Sequence, residues 1–273
     1  MRAPTVTPKR QRIAAPAARA RARVFTPLAS LIDEDVLREA SRHTSQSRAP
    51  GIDGVTAEAY AEHLDEHLRD LHECLRRGRS QAAPVEHGWI EKEDGSQRPI
   101  GKPACEEKIV RRAVAMLLEA IYEQDFLDCA WGFRQGRSPH AALHEVRERC
   151  MHEGRGGSVD AEVSDYDDSI ARTCLREVRR KRVDDGSLWR LIGKWLRARG
   201  MEHDELTHPE TGCGQGGVIS PVLANIFLPQ VLEEWCERAV QPRLKGRSVL
   251  TRFADDCVIG CALEADAQKI MGV

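Results

Sequence analysis

No C-x-x-C pair occurs among the nine cysteines, and nine is an odd number, so neither a zinc ribbon nor a fully paired disulfide framework accounts for them. A reducing cytoplasm is the expected compartment. There is no excess of positive charge to announce a nucleic-acid partner: 41 Lys and Arg stand against 43 Asp and Glu, a net charge of -2. Long apolar runs are absent too. The longest stretch without a charged residue, Thr211 to Leu232, is interrupted by Gly212, Gln215, Ser220, Pro221, Asn225, Pro229 and Gln230, which excludes a membrane span there. No internal repeat, Ser-His-Asp order or phosphate-binding P-loop is visible.

What is present is 41% hydrophobic and 31% charged residues over 273 positions, apolar material for one large domain or two small ones. A peptide, a fibre and a disordered chain are excluded. The charge is segregated. Arg2, Lys9, Arg10, Arg12, Arg19, Arg21 and Arg23 lie within residues 1–24 with no acid among them, which leaves -9 for residues 25–273. This Ala/Pro-rich arm has few large apolar residues and is expected to be disordered, either as a solvated tail or lying on a polyanion. The remainder, 25–273, is expected to be the folded domain.

Periodicity predicts a short helix at Leu28–Ser41. A turn-rich loop follows at Arg48–Thr56, and Thr56 caps a helix over Ala57–Arg77 that Gly78 stops. Trp89–Lys92 and Gln97–Ile100 read as strands around an Asp94-Gly95 hairpin turn. Helices are expected at Glu106–Tyr122, Pro139–Met151, Ile170–Arg182 and Leu188–Arg199. Ser158–Val163 reads as a buried strand, and Val249–Ala262 as strand, Asp-Asp turn, strand.

Two acidic clusters carry the chemistry. Asp255 and Asp256 sit in Arg252-Phe-Ala-Asp-Asp-Cys-Val-Ile259, adjacent carboxylates in an otherwise apolar hairpin. Their mutual repulsion is relieved by a divalent cation, and hard Mg²⁺ prefers such oxygen ligands. The second cluster, Asp160 to Asp168, begins within the Ser158–Val163 strand. If the two strands are neighbours, Glu162 faces Asp255 and Asp256 and completes the cage of a two-metal phosphoryl-transfer centre. An ordinary solvated acidic turn is the alternative at each place.

Five motifs then appear in a telling order: Gly51-Ile-Asp-Gly-Val-Thr56, Lys92-Glu-Asp-Gly-Ser-Gln-Arg98-Pro-Ile-Gly101, Trp131-Gly-Phe-Arg-Gln-Gly-Arg-Ser138, Gln215-Gly-Gly-Val-Ile-Ser-Pro-Val-Leu-Ala-Asn225 and Phe253-Ala-Asp-Asp256. In these the chain, over roughly residues 30–270, resembles the fingers and palm of group II intron reverse transcriptase/maturase proteins. The resemblance implies an α+β fold, with an antiparallel palm sheet backed by helices. It implies RNA-directed DNA synthesis with two Mg²⁺ ions, an intron RNA template, a DNA primer and deoxynucleoside triphosphates. No membrane partner is expected. Residue by residue, Asp255 and Asp256 match the family's Asp pair, with Phe253 for the usual Tyr, and Glu162 falls on the third metal-binding Asp. Lys92 and Arg98 match the basic pair for the triphosphate, although a strict two-residue turn at Asp94-Gly95 points them to opposite faces. Asp167 stands where an aromatic packs beneath the sugar, and Asp165 replaces a nearby Gly. Gln215 and Gly216 lie beside template and nucleotide, with Gly214 replacing a usual Pro. Arg134 and Arg137 are expected to hold template or RNA phosphates, with Gln135 in place of Pro.

Glu162 reaches one methylene further than Asp, Asp167 repels a triphosphate, and the chain ends at Val273, 17 residues past Asp256, where the family continues into a thumb and maturase region. Little or no templated synthesis by the chain alone is therefore expected, and a separate thumb or maturase fragment is kept as a partner. Two other readings stay open. One is a catalytically inactive RNA-binding remnant. The other is a zinc metallohydrolase built on His63-x-x-Glu66-His67.

Overall fold

The computed structural model describes residues 8–44, 50–79, 85–91, 95, 97–152, 157–162, 182–196, 200–202, 205–207 and 219–272. The chain divides into two compact units, Met1–Gln124 with Asp167–Ser220, and Asp125–Tyr166 with Pro221–Val273.

The first unit is organised around α5 (Cys105–Tyr122), whose apolar residues are buried on nearly every side. Ile109, Ala113, Leu117 and Ile121 form the predicted stripe, and Val110, Val114 and Leu118 fill the opposite flank. A helix apolar all round has to be surrounded. It packs against α1 (Pro8–Arg19) and α2 (Glu34–Arg42), with α3 (Ala57–Glu62) and α4 (Leu64–Arg76) beyond α2. Asp33 caps α2 by accepting from Val36 N at 3.2 Å, and Thr56 caps α3 by accepting from Ala59 N at 3.2 Å. Gly78 ends α4 at φ 67°, as the sequence predicts.

The predicted single helix over 57–77 is broken at His63 (φ -122°, ψ 37°). An unbroken helix would spend the Tyr60 carbonyl on Leu64 N. Here the His67 Nδ1 donates to it at 3.1 Å.

The basic arm differs more. Residues 8–19 are α1, not disordered chain, with Arg10, Ile13 and Ala17 buried and α5 beneath them. Arg10 pairs with Glu119 at 3.3 Å and Lys9 with Asp33. The buried Arg182 guanidinium donates to the carbonyl of Ala17 in the last turn of α1 (3.2 Å) and to those of Ala20 (2.9 Å), Arg21 and Arg23 (3.2 Å) in the segment that follows it. Small apolar residues suffice because α5 supplies the apolar partner surface, which composition alone does not show.

Strands β1 (Val85–Glu91) and β2 (Gln97–Lys102) pair antiparallel, as predicted. The last described pair of their ladder is Glu91 opposite Gln97, and of the expected Asp94-Gly95 turn only Gly95, at φ 79°, is among the described residues. Two three-residue strands absent from the sequence reading, β4 (Gly200–Glu202) and β5 (Glu205–Thr207), extend this sheet, β4 running parallel to β1. The helix expected near 188–199 is α7 (Gly186–Trp195), capped by Asp185, and the one expected at 170–182 lies outside the described residues up to Arg182.

In the second unit β3 (Gly157–Glu162), β7 (Asp256–Cys261) and β6 (Ser248–Phe253) form an antiparallel sheet in the order β3-β7-β6. Helices α6 (Pro139–His152) and α9 (Glu264–Ile270) pack on it, and α8 (Ser220–Leu228) leads into two π-helical stretches, Pro229–Glu233 and Cys236–Val240. The core behind the sheet holds Val159, Cys236, Val240, Leu250, Cys257, Ile259 and Cys261. Strand β3 was expected to be buried, yet among its residues of described burial Val159 alone is buried while Ser158, Asp160 and Ala161 are exposed, and β3 has one strand neighbour among the described strands.

Cys129, Cys236, Cys257 and Cys261 are free and serve as small residues in or against this core. Burial pushes the Cys129 and Cys257 thiols up from about 9 to about 11. The folded state therefore holds these protons where the unfolded chain releases them, and the resulting stability, intact below pH 9, is lost as pH rises toward 11. Urea unfolding at pH 8, 9.5 and 10.5 should show falling midpoints, with a shallower decline in Cys257→Ala. A flat profile in the parent chain would show that the thiols titrate alike in both states.

Candidate active site

The site is assembled at the ends of β3 and β7. Phe253 pairs with Asp256, so the turn of the β6–β7 hairpin is Ala254-Asp255 and not the expected Asp255-Asp256. Asp256 is the first residue of β7. Strand alternation then buries Cys257, Ile259 and Cys261 and leaves Asp256 on the exposed face. Glu162, at the end of β3, is the register partner of Asp256. The expected adjacency of the two acidic strand ends is thus met in the backbone.

The turn is strained and supported. Ala254 has φ 60°, a conformation that favours glycine and costs an L-residue roughly 1–2 kcal/mol. Its support is the segment 129–132, which runs along β6: Arg252 N donates to Cys129 O at 2.8 Å and Trp131 N to Arg252 O at 2.8 Å. Gly132 then lies directly against the turn. A Cβ on Gly132 would stand 2.3 Å from Ala254 N. The requirement there is for glycine's missing side chain, since only a bare α-carbon permits this approach.

One functional element escaped the sequence reading, which treated the hairpin as apolar apart from its aspartates. Arg252 is fully buried, at 0% exposure. Its Nε and a terminal nitrogen donate to Glu233 Oε1 at 3.1 and 2.9 Å. The other terminal nitrogen donates to Asn225 Oδ1 and to the Ala254 carbonyl, both at 3.0 Å. Asn225 in turn donates from Nδ2 to Gly132 O at 2.7 Å. The signal available was a charge two residues from the buried Leu250 on β6, which can be read only once β6 has been assigned a buried face.

Arg134 and Arg137 are placed otherwise than expected. Arg134 is buried, donating to Leu127 O (2.8 Å) and Ala130 O (2.7 Å) with its guanidinium over Phe126. Arg137 donates to Asp128 O (2.7 Å), Ala130 O (3.1 Å) and Asp128 Oδ1 (3.2 Å), and lies over Trp131. Both hold the 126–137 loop by satisfying its carbonyls, a structural role that the sequence reading did not assign to them. The loop exposes Phe133, 59% accessible at φ 55°, with its ring 6.3 Å from that of Phe253.

The other expected residues belong to the first unit or its boundary. Arg98 occupies the register position opposite Ile90. Lys92, Asp167, Gln215 and Gly216 lie outside the described residues.

The zinc reading gains no support. His63 caps α4, its carbonyl accepting from His67 N at 3.0 Å with the two rings 6.2 Å apart, but the His67 Nδ1 is engaged by Tyr60 O. Among the described residues, no group of three or more His, Cys, Asp or Glu is arranged to hold a metal ion.

The donor chemistry at the β3–β7 end suits a hard divalent cation: two carboxylates on the hairpin, a third acidic residue in register beside them, and the nearest guanidinium in sequence turned inward onto Glu233 and Asn225.

Comparison with known proteins agrees with this arrangement. The family profile described as reverse transcriptase (RNA-dependent DNA polymerase) matches residues 90–273. Protein YkfC of Escherichia coli (strain K12) is 35% identical over 198 residues, 70% of this chain and 52% of that protein. Group II intron-encoded protein LtrA of Lactococcus lactis subsp. cremoris is 30% identical over 213 residues, 76% of this chain and 35% of that protein. The chain thus spans about half or less of the length of these relatives. In fold it is similar to a chain of a partial Cas6-RT-Cas1–Cas2 complex, with a TM-score of 0.51 at 20% identity, covering 87% of this chain and 38% of the other. The α+β architecture expected from the motifs is therefore the observed one, and with the ordered motifs, the acidic strand ends and these matches together, the chain belongs to the reverse transcriptase (RNA-dependent DNA polymerase) family and is similar to its group II intron-encoded members.

Proposed function

We propose that this chain provides the nucleotidyl-transfer site of an RNA-directed DNA polymerase. The observation that carries the reading is the register of Glu162 with Asp256 beside the Ala254-Asp255 turn, which brings three acidic residues to adjacent strand ends. Asp255, Asp256 and Glu162 would hold two Mg²⁺ ions. Bound there, the ions would supply charge neutralisation and Lewis-acid polarisation for the attack of a primer 3′-hydroxyl on the α-phosphate of a deoxynucleoside triphosphate, with pyrophosphate leaving. Lys92 and Arg98 are assigned to the triphosphate, a point charge and a bidentate fork. Gln215 and Gly216 are assigned to the template and nucleotide, and Asp167 to the position beneath the sugar. The buried free thiols support a reducing, cytoplasmic setting.

The test is Mg²⁺-dependent extension of a DNA primer on an RNA template by the intact chain, beside Asp256→Asn. Extension that vanishes in the variant supports the reading. RNA binding with no extension, even from concentrated protein, would assign the chain to the inactive RNA-binding class, which the longer Glu162 side chain favours.

The RNA-binding surface is assigned to the basic N-terminal segment. Helix α1 and the turn after it expose Arg12, Arg19 and Arg21. Because Arg10, Ile13 and Ala17 are part of the core, deleting residues 1–24 would damage the fold, and charge neutralisation is the cleaner experiment. Replacing Arg12, Arg19 and Arg21 with Gln should weaken binding of single-stranded RNA. The slope of log K against log salt should become shallower by about 2, since each phosphate no longer neutralised removes about 0.7 from it. An unchanged slope would show that RNA does not bind this surface.

A further inference from the structure

Burying an ion pair is a poor route to stability, because the desolvation of two charges roughly offsets their attraction. A hydrophobic replacement of similar volume is often as stable or more so. The Arg252–Glu233 pair is an extreme instance. Both residues are buried, one carboxylate oxygen takes two guanidinium hydrogens, and Glu233 Oε2 has no hydrogen-bond partner. Glu233 also closes a π-helical stretch, a local departure from α-helical geometry of the kind that re-aims side chains at functional sites. An arrangement this expensive in a core otherwise made of Val, Leu, Ile and Cys needs a reason other than stability.

The reason lies in where the remaining donors go. One guanidinium nitrogen reaches the Ala254 carbonyl directly, within the two-residue turn that carries Asp255. The same nitrogen reaches Asn225, Asn225 holds the Gly132 carbonyl, and Gly132 presses against Ala254 N. Two routes from one side chain thus converge on the residue whose φ of 60° sets the direction of the aspartate pair. Glu233 fixes the guanidinium plane, and the fork distributes that orientation to the turn and to the loop supporting it.

We infer that Arg252, Asn225 and Glu233 are positioning residues of the metal site: a buried network that holds the Ala254-Asp255 turn, and with it Asp255 and Asp256, in the geometry that binds divalent cations. The inference rests on the metal-binding reading of Asp255 and Asp256 given above. Groups that orient metal ligands from behind typically govern affinity by about 10- to 100-fold when removed, and the network should act through cation affinity and not through the fold.

The experiment measures Mn²⁺ binding to the full chain by electron paramagnetic resonance, with thermal melting alongside. The parent should bind Mn²⁺, and Asp255→Asn should abolish most of that binding. The double variant Arg252→Met with Glu233→Leu removes both buried charges together, so that neither is left unpaired, and should melt within a few degrees of the parent while binding Mn²⁺ at least about tenfold more weakly. Asn225→Ala leaves the ion pair intact and cuts only the link to Gly132. It should weaken Mn²⁺ binding by a smaller factor and covers the case in which the double variant does not fold. Parent-like Mn²⁺ affinity in a folded double variant, or in Asn225→Ala if the double variant is unfolded, would overturn the positioning role. Parent-like binding in Asp255→Asn would instead overturn the metal-site reading itself, so the two failures are distinguishable.

Discussion

Gly132→Ala is expected to lower the melting temperature sharply and to displace the aspartate turn. Its Cβ would stand 2.3 Å from Ala254 N, closer than real Cβ atoms approach backbone, with Phe253 C at 3.0 Å. Overpacking a side chain against mobile neighbours costs about 1–3 kcal/mol. Here the obstacle is backbone in a paired hairpin, and the flexible end of a side chain is not available to give way. A loss of at least about 3 kcal/mol follows, which for a chain of this size corresponds to a fall of roughly 6–12 °C. Gly186→Ala is the matched control, since a Cβ there meets nothing within 4 Å and it opens a helix. Equal melting temperatures for the two variants would show that the 129–132 segment does not press on the turn.

Glu162→Asp is expected to raise templated incorporation. The backbone already sets position 162 opposite Asp256, so the strand pairing imposes no reason for the longer side chain. A reacting or metal-holding group misplaced by about 1 Å costs on the order of a hundredfold in rate, and one methylene is a displacement of that size. From a baseline expected to lie close to background, single-nucleotide incorporation on a pre-annealed primer should rise by up to about a hundredfold. Adding Asp255→Asn to this variant should return it to background. Equal rates for the parent chain and Glu162→Asp would show that the extra methylene carries no penalty and that the cause of low activity lies elsewhere.

How much of this was legible beforehand follows from the range of the interactions involved. Thr56 as a cap, Gly78 as a stop, the stripe of α5 and the strands on either side of residues 254 and 255 are local signals, written within one helical turn or one hairpin, and all are observed. The acidic ends of β3 and β7 were legible as candidates because clustered carboxylates repel unless a cation relieves them. Their adjacency followed only if the strands paired, and they do. Local signals misled where a distant partner decides. His67 draws the Tyr60 carbonyl out of its helix, and α5 orders an arm whose own composition is too poor in large apolar groups to fold.

By itself, the amino-acid sequence determined the order of the motifs, the family they indicate, the α+β class and the acidic residues set at the strand ends. Those properties depend on residue type and spacing, which survive without coordinates. Only the tertiary structure decided that Arg134 and Arg137 hold their own loop, that the turn consists of Ala254 and Asp255, and that a buried Arg252 ties that turn to Asn225, Glu233 and Gly132. A guanidinium has five donors and no sequence rule for where they go. Its partners here lie 19 and 27 residues away along the chain, and that distance closes only when the sheet and α8 bring them together.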